Sequence, residues 1–192
     1  MIEGFNYCWP TPILIGNINN KLILEKTTSY ILSNFGGKIS ATGNLEDDNV
    51  LDDENISEFT KEIIYPAFND YYKKEFKINL KSKKFHFNGW VTGYGTNFTR
   101  ISMLPHNHSG AQLTSVFYLM SEENNKGGRL FLNDARTNAN RGYKDEYNDW
   151  FKNVSFSPKT GQYIIFPGFL YHTVENFSGK VRLALVVDFI LY

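Results

Sequence analysis

Residues 161–192 read GQYIIFPGFLYHTVENFSGKVRLALVVDFILY, and this stretch decides the fold class. Two runs rich in β-branched and aromatic residues, 161–174 and 180–192, are typical of strands. The polar turn ENFSGK lies between them and predicts a hairpin, which would place the strand carrying Arg182 beside the strand carrying His172.

The same two-residue period extends back to Lys83. It predicts further strands in FHFNGWVTGYG (85–95), TRISMLPH (99–106), AQLTSVFYLM (111–120), GRLFLND (128–134) and VSFSP (154–158). Several short strands without helices between them favour an antiparallel sandwich or barrel.

The first part of the chain has a different pattern. It predicts a short strand at 10–15, a helix from about 19 to 35 that ends at Gly36-Gly37, a solvated acidic loop at 42–55, and an amphipathic helix at 56–79 that is kinked or split at Pro66. The predicted fold is therefore mainly β (α+β). A strand and helical cover (1–83) would pack on a β core (84–192) within one domain, 1–192.

Composition excludes several classes of protein. The 192 residues have 20 basic and 20 acidic side chains, so a nucleic acid or an anionic membrane is not the expected partner. The single cysteine, Cys8, excludes a disulfide framework. No signal peptide or membrane span is recognisable, which predicts a cytoplasmic protein of a bacterium or a virus-infected cell. A homodimer is left open.

Three of the four histidines fall at predicted strand ends. His106 and His108 are two residues apart, so an extended backbone puts both on one face. His172 ends the run YIIFPGFLYH. Two imidazoles from one strand and a third ligand from another can bind three adjacent positions of a metal, although histidines at strand ends are often only structural.

Arg182 follows His172 by ten residues. Alternation puts it on one face with Ala184 and Val186, while Leu183, Leu185 and Val187 take the other face. An inward arginine needs an anionic partner, for which a ligand carboxylate is suited. An outward position on an edge strand is the alternative.

Read in order, five segments resemble the 2-oxoglutarate/Fe(II)-dependent oxygenases, in particular a small bacterial and phage branch. They are H106-N-H108, L113-T-S-V-F-Y-L119, G127-G-R-L-F-L-N-D-A-R136, G161-Q-Y-I-I-F-P-G-F-L-Y-H172 and R182. The resemblance covers nearly the whole chain. It implies a double-stranded β-helix (a jelly-roll or cupin-like barrel) with N-terminal helices packed on it.

The resemblance also implies the site residues. His106, His108 and His172 would hold Fe(II) and form the catalytic centre. Arg182 and Tyr118 would bind the co-substrate 2-oxoglutarate, and Thr114, on the face of Tyr118, is included with them. The implied activity is a dioxygenase that uses O₂ to hydroxylate a small-molecule or peptide substrate and releases succinate and CO₂.

Two positions depart from the family pattern. His108 stands where most members have a carboxylate, so either three histidines bind the metal or another group, with Asp134 as the nearest candidate, replaces His108. Ala184 stands where Ser or Thr is common, which predicts the loss of one hydrogen bond to the co-substrate, about 1 kcal/mol.

Other residues carry weaker predictions. His86 is interpreted as structural, and Trp90, Tyr143 and Trp150 as packing residues that can also line a substrate mouth. Substrate choice is assigned to the loop 133–153, and Arg100 and Arg136 are second-tier candidates for substrate contacts. A peptidyl side chain or a free amino acid is the favoured substrate.

Two alternative functions remain open on the sequence. A three-histidine cupin-type dioxygenase or isomerase would need no 2-oxoglutarate, and a non-catalytic jelly-roll would serve for binding or structure. Metal content and 2-oxoglutarate binding distinguish all three.

Overall fold

The computed structural model of the chain describes residues 11–42, 44–45, 49–98, 102–122, 127–135 and 154–192. Its strands are β1 (Leu14–Asn17), β2 (Asn44–Leu45), β3 (Phe85–Tyr94), β4 (Met103–His106), β5 (Leu113–Ser121), β6 (Leu130–Leu132), β7 (Val154–Phe156), β8 (Gln162–Pro167), β9 (His172–Val174) and β10 (Arg182–Leu191). Its helices are α1 (Lys21–Thr42), α2 (Ser57–Phe59) and α3 (Tyr65–Phe76), with a π-helical turn at Thr60–Ile64 and 3₁₀ turns at Val50–Asp52 and Leu80–Ser82.

The strands form two antiparallel sheets. The larger sheet has the order β1-β8-β5-β10-β3-β2 and the smaller one β4-β9-β6-β7. One apolar cluster combines residues of both sheets, among them Val116 and Ala184 from the larger and Leu130 and Val174 from the smaller. The two-sheet β core predicted from the alternating segments is confirmed, and the two N-terminal strands join its larger sheet.

The helices cover the other face of the larger sheet. A second apolar cluster joins Ile31 of α1 and Phe68 of α3 to Leu183, Leu185 and Val187 of β10. Because successive side chains of a strand point to opposite faces, β10 packs against the helices with one set of residues and against the smaller sheet with the other. The predicted division between the two faces is confirmed.

Helix α1 is longer than predicted. It continues through Gly36 and Gly37 to Thr42, so the prediction that these glycines end it is wrong. Each helical glycine costs about 1 kcal/mol relative to alanine. Ile31 and Ile39, which are completely buried on either side of the pair, offset that cost through packing.

The second helical segment changes pitch just before Pro66 without ending there, whereas the sequence predicts a kink or a split. The helix continues from Ser57 to Phe76, but a π-helical turn at Thr60–Ile64 precedes the proline, and Tyr65 N–H donates to the Thr60 carbonyl. Proline has no N–H and crowds the preceding turn, so a local change of helical pitch accommodates it. No described helix is both long and apolar enough to cross a membrane.

Four local predictions are corrected. The segment 161–174 is two strands, β8 and β9, which lie in different sheets. The ENFSGK turn therefore does not pair β9 with β10, because β10 pairs with β3 and β5 while β9 pairs with β4 and β6. The first strand is at Leu14–Asn17 rather than 10–15, and the segment 42–55 contains β2 and a 3₁₀ turn whose Val50 is buried.

Phe189→Ala should lower the free energy of unfolding by about 3–5 kcal/mol. Phe189 is completely buried on β10, and its ring stacks on Phe68 with centroids 5.6 Å apart. Urea denaturation of the metal-free protein measures the loss. Leu22→Ala, at a side chain that is 75% exposed on α1, is the control and should change stability by less than about 0.5 kcal/mol. Equal losses would contradict the packing described here.

Candidate active site

Three histidines converge between the two sheets. His106 ends β4, His108 lies two residues further on, and His172 begins β9 directly opposite His106 in the strand register. One ring nitrogen from each lies within 4.8 Å of the others. Only such a short separation allows three side chains to share one metal ion, so the predicted grouping of these histidines is present.

Hydrogen bonds orient the three rings alike. Nδ1 of His106 lies 2.8 Å from the carbonyl oxygen of Leu104, and Nδ1 of His172 lies 3.0 Å from that of Leu170. Since a carbonyl oxygen only accepts, both Nδ1 atoms carry the proton and donate it. Each Nε2 then carries the lone pair of the ring, which is the form of imidazole that binds a metal.

His108 has a charged partner instead. Its Nδ1 lies 2.6 Å from Oδ1 of Asp188 and 3.0 Å from Oγ1 of Thr114. The carboxylate accepts the Nδ1 proton, so the Nε2 of His108 is also left free. Trp90 stacks on the ring, with centroids 5.3 Å apart and planes 29° apart.

Burial keeps His172 neutral. Its side chain is almost inaccessible to solvent, and burial is the main cause that lowers the pKa of its imidazole from 6.5 to about 3. Nearby His106 and His108 lower the pKa further. A neutral imidazole is required for metal binding, so the site is ready to bind a cation at neutral pH. Three neutral nitrogen donors fit a divalent transition metal such as Fe(II).

Arg182 lies on the face of β10 that points to the same pocket. It is 1% exposed, its Nε donates to the Gly128 carbonyl at 3.0 Å, and its guanidinium lies over the rings of Tyr94 and Tyr118, 4.7 and 5.1 Å from their centroids. No carboxylate of the described residues forms a salt bridge with it. Of the inward and outward positions that the sequence leaves open for Arg182, the inward one is correct. A buried guanidinium without an acidic partner favours an anionic ligand.

Tyr118 supports the same conclusion. Among the described residues, its hydroxyl oxygen is the one buried side-chain polar atom without a hydrogen-bond partner. Burial raises the pKa of this hydroxyl, and the charge of Arg182 and the closeness of its side chain oppose that rise. An unsatisfied buried hydroxyl costs stability, so its presence beside Arg182 is explained if both groups bind a ligand carboxylate.

Thr92 lies directly opposite Ala184 in the pairing of β3 with β10. Both residues are buried, and Thr92 lines the pocket together with Arg182. The hydroxyl that is missing at Ala184 is therefore available from the neighbouring strand. Sequence reasoning did not consider this position, since it requires the register of β3 against β10.

A single pocket joins the histidines to Arg182. Its empty volume is about 390 Å³, part of it open to solvent. Its wall is formed by both sheets: Trp90, Thr92, Tyr94, Met103, His106, His108, Thr114, Val116, Leu130, His172, Val174, Arg182 and Val186. A cation site and an anion site in one pocket suit a ligand that chelates a metal at one end and carries a carboxylate at the other.

Residues 97–188 match the family model described as "Putative 2OG-Fe(II) oxygenase". This segment, slightly less than half of the chain, is therefore similar to that oxygenase family. That family uses Fe(II) and 2-oxoglutarate, and both expected binding features are present in the pocket. A comparison with curated proteins finds no match.

Solved structures with the same fold include three prolyl hydroxylases. A prolyl-4-hydroxylase of Pseudomonas putida is 13% identical, with a TM-score of 0.61 over 93% of this chain and 91% of the other. The collagen prolyl hydroxylase of Paramecium bursaria Chlorella virus 1 is 14% identical, with a TM-score of 0.55 over 98% and 97%. A Trichoplax adhaerens prolyl hydroxylase, bound to a hypoxia inducible factor peptide fragment, is 15% identical, with a TM-score of 0.60 over 93% and 77%.

The remaining predicted residues divide into three groups. Asp134 is not part of the cluster of candidate metal-binding side chains in the described part of the chain, which consists of the three histidines. His86 stacks on Tyr192 away from the pocket, which agrees with its structural interpretation. Arg100, Arg136, Tyr143, Trp150 and all of the loop 133–153 beyond Ala135 lie outside the described residues.

Sequence reasoning missed Asp188. It follows Arg182 by six residues on β10, so strict alternation places both on the pocket face. Its direct neighbour across the strand pair is Thr114, which also contacts His108. The same alternation, continued two residues beyond Val186, predicts that Asp188 also lies on this face.

The metal-free protein should lose stability as the pH falls from 6.5 to 5. The unfolded chain binds a proton at His172 near pH 6.5, whereas the folded chain binds it only near pH 3, so protons favour unfolding in between. The slope contributed by this group is up to about 1.4 kcal/mol per pH unit. Urea denaturation at several pH values measures it.

His172→Gln removes the titrating group and should reduce that slope. The comparison is confined to pH 5–6.5, because Asp53 and Glu175, whose pKa values are lowered in the folded protein, contribute only at more acidic pH. An unchanged slope in the variant would show that other groups cause the acid sensitivity.

Proposed function

We propose that the protein is an Fe(II)- and 2-oxoglutarate-dependent dioxygenase that hydroxylates a peptidyl side chain or a free amino acid. The observation that carries the proposal is the joining, in one pocket, of a three-histidine centre with a buried arginine that has no anionic partner among the described residues. The overall reaction would convert substrate, O₂ and 2-oxoglutarate to hydroxylated substrate, succinate and CO₂.

The histidines would hold the iron through their Nε2 atoms. Each Nδ1 proton is bound by an acceptor, so the rings cannot rotate without losing a hydrogen bond. The iron would supply the redox chemistry by which O₂ is reduced. The protein would provide a fixed set of three ligands and leave the other metal positions for the co-substrate and O₂.

Arg182, Tyr118 and Thr92 would bind the distal carboxylate of 2-oxoglutarate. Thr114, which the sequence analysis included with Arg182 and Tyr118, contacts Nδ1 of His108 and would instead orient that ring. The guanidinium is fixed by Gly128 and by two aromatic rings, and the Tyr118 hydroxyl is free to donate. The apolar side chains Val116 and Val186 line the same wall and would limit access of water to the reacting groups.

The substrate class rests on charge and on the surface beside the histidines. The chain has no basic surplus for nucleic acid. Leu104 and Tyr171, close in sequence to His106 and His172, are 81% and 54% exposed. Exposed apolar groups beside a pocket suit a peptide or an amino acid with apolar parts. The Trichoplax adhaerens enzyme, whose structure holds a peptide fragment, shows that this fold can accept such a ligand.

The deciding experiment is an anaerobic titration of metal-free protein with Fe(II) and then with 2-oxoglutarate. A weak visible charge-transfer band should develop on addition of 2-oxoglutarate, and His172→Ala should abolish iron binding and the band. Iron binding without the band would favour the three-histidine cupin-type enzyme. Absence of iron binding would leave a non-catalytic jelly-roll.

Tyr118→Phe should weaken 2-oxoglutarate binding about tenfold, which corresponds to one hydrogen bond of about 1.4 kcal/mol. The same change should leave the metal-free protein at least as stable, because the hydroxyl removed has no partner. Titration of the iron-loaded protein and thermal unfolding measure the two effects. Tyr163→Phe, on the helix-covered face of the larger sheet, is the matched control and should not affect binding.

Arg182→Ala should abolish detectable 2-oxoglutarate binding at concentrations that saturate the wild-type protein, while Fe(II) binding is retained. Arg129→Ala removes the same charge from an exposed arginine that pairs with Glu175, and it should bind both ligands normally. Unchanged binding in Arg182→Ala would remove this residue from the proposed co-substrate site.

The substrate class can be tested with peptides containing Pro, Asp or Asn and with free amino acids. Succinate formation that depends on one of them, together with the gain of one oxygen atom by mass spectrometry, would support the proposal. Succinate formation that depends only on a nucleobase or a nucleic acid would contradict it.

A further inference from the structure

Asp188 distinguishes His108 from the other two histidines. The Nδ1 atoms of His106 and His172 have neutral backbone carbonyls as partners, whereas Nδ1 of His108 lies 2.6 Å from a carboxylate oxygen. The side chains of the pair are 6% and 13% exposed, so water screens the contact weakly. His108, the histidine whose partner is the Asp188 carboxylate, is also the one that stands where most members of the family have a carboxylate ligand.

We propose that Asp188 supplies, through the imidazole of His108, the negative charge that a directly bound carboxylate would otherwise bring to the metal. The inference rests on the proposed function, since it takes the three histidines as the iron ligands. A carboxylate that accepts the Nδ1 proton makes the opposite nitrogen a stronger donor. The metal centre would then have the same total charge as a site with two histidines and one carboxylate.

The orientation of His108 does not depend on Asp188 alone. Thr114 lies 3.0 Å from the same Nδ1, and Trp90 stacks on the ring. The backbone N–H of His108 also donates to the Gly168 carbonyl at 2.9 Å. The ring therefore stays in place when only the charge at position 188 is removed, so charge and orientation can be separated by experiment.

Asp188→Asn separates the effect of charge from that of ring orientation. The amide oxygen of asparagine can still accept the Nδ1 proton of His108 but has no charge. The dissociation constant of the metal-free protein for Co(II), followed by visible absorption, should rise about 10- to 100-fold, and anaerobic Fe(II) titration should show the same change. Thermal unfolding of the metal-free variant reports any loss of folding separately.

Asp53→Asn is the matched control. Asp53 accepts a hydrogen bond of 2.7 Å from the Tyr30 hydroxyl, between helix α1 and the turn before α2. The substitution makes the same chemical change away from the pocket, so Co(II) binding should be unaffected. Equal Co(II) affinity of Asp188→Asn and the wild-type protein would overturn the inference.

A second substitution tests whether Asp188 acts through His108. In a His108→Asp background the carboxylate would be a ligand itself, and Asp188 would add a second negative charge beside it. There, Asp188→Asn should leave Co(II) affinity unchanged or increase it, in contrast to its effect with His108 present. An equal weakening in both backgrounds would show that Asp188 acts on the fold instead, and would overturn the inference.

The two proposals fail differently in these measurements. If the wild-type protein binds Fe(II) and gives the 2-oxoglutarate band while Asp188→Asn is indistinguishable from it, the charge role of Asp188 is wrong and the oxygenase function stands. If the wild-type protein binds neither Co(II) nor Fe(II), both proposals are wrong.

Discussion

Strand β10 is buried on both faces, and the core beneath the helices and the pocket between the sheets are both built on it. This strand pairs with β3 and β5 along nearly its whole length and so lies inside the larger sheet. One set of its side chains forms the core beneath the helices. Of the alternate set, Arg182 and Val186 line the pocket, Ala184 packs between the two sheets, and Asp188 contacts His108. A shift of one residue in its register would exchange the two sets, placing a guanidinium and a carboxylate in an apolar core. The packing that stabilises the fold therefore also fixes the positions of the charged groups.

The pocket has opposite charge requirements at its two ends. The three histidines can bind a cation and have one carboxylate, Asp188, behind them, whereas Arg182 has no acidic partner among the described residues. The six-residue separation of Asp188 and Arg182 along β10 corresponds to about 20 Å of extended strand. This distance prevents the two groups from neutralising each other. Asp188 thus remains paired with His108 beside the cation site, and Arg182 remains available for a ligand anion, so the spacing along one strand determines how a bifunctional molecule is oriented.

Much of this arrangement could be predicted from residue order, because strand alternation is a local property. The two-sheet core, the inward position of Arg182 and the grouping of the three histidines all followed from a period of two or from the family resemblance. The prediction of a hairpin between the strands of His172 and Arg182 was wrong. A turn motif cannot show whether the strand after it pairs with the strand before it or crosses to the opposite sheet. The predicted end of α1 at Gly36-Gly37 was wrong because the packing of Ile31 and Ile39 outweighs the free-energy cost of two glycines within a helix. The position of Thr92 opposite Ala184 could not be predicted, because it depends on the register between two strands that are distant in the sequence.

The position of strand β4 at a sheet edge implies that metal binding would stabilise that edge. It is a four-residue strand at the edge of the smaller sheet, it contains Pro105, and its pairing with β9 is irregular between Met103 and His106. Short edge strands of this kind open readily, since few hydrogen bonds hold them. Two of the three histidines lie on or just after this strand, and the third lies on its neighbour. A bound ion would therefore act as a cross-link between the edge and the interior of the sheet, so that amide hydrogen exchange in β4 would report on occupancy of the metal site.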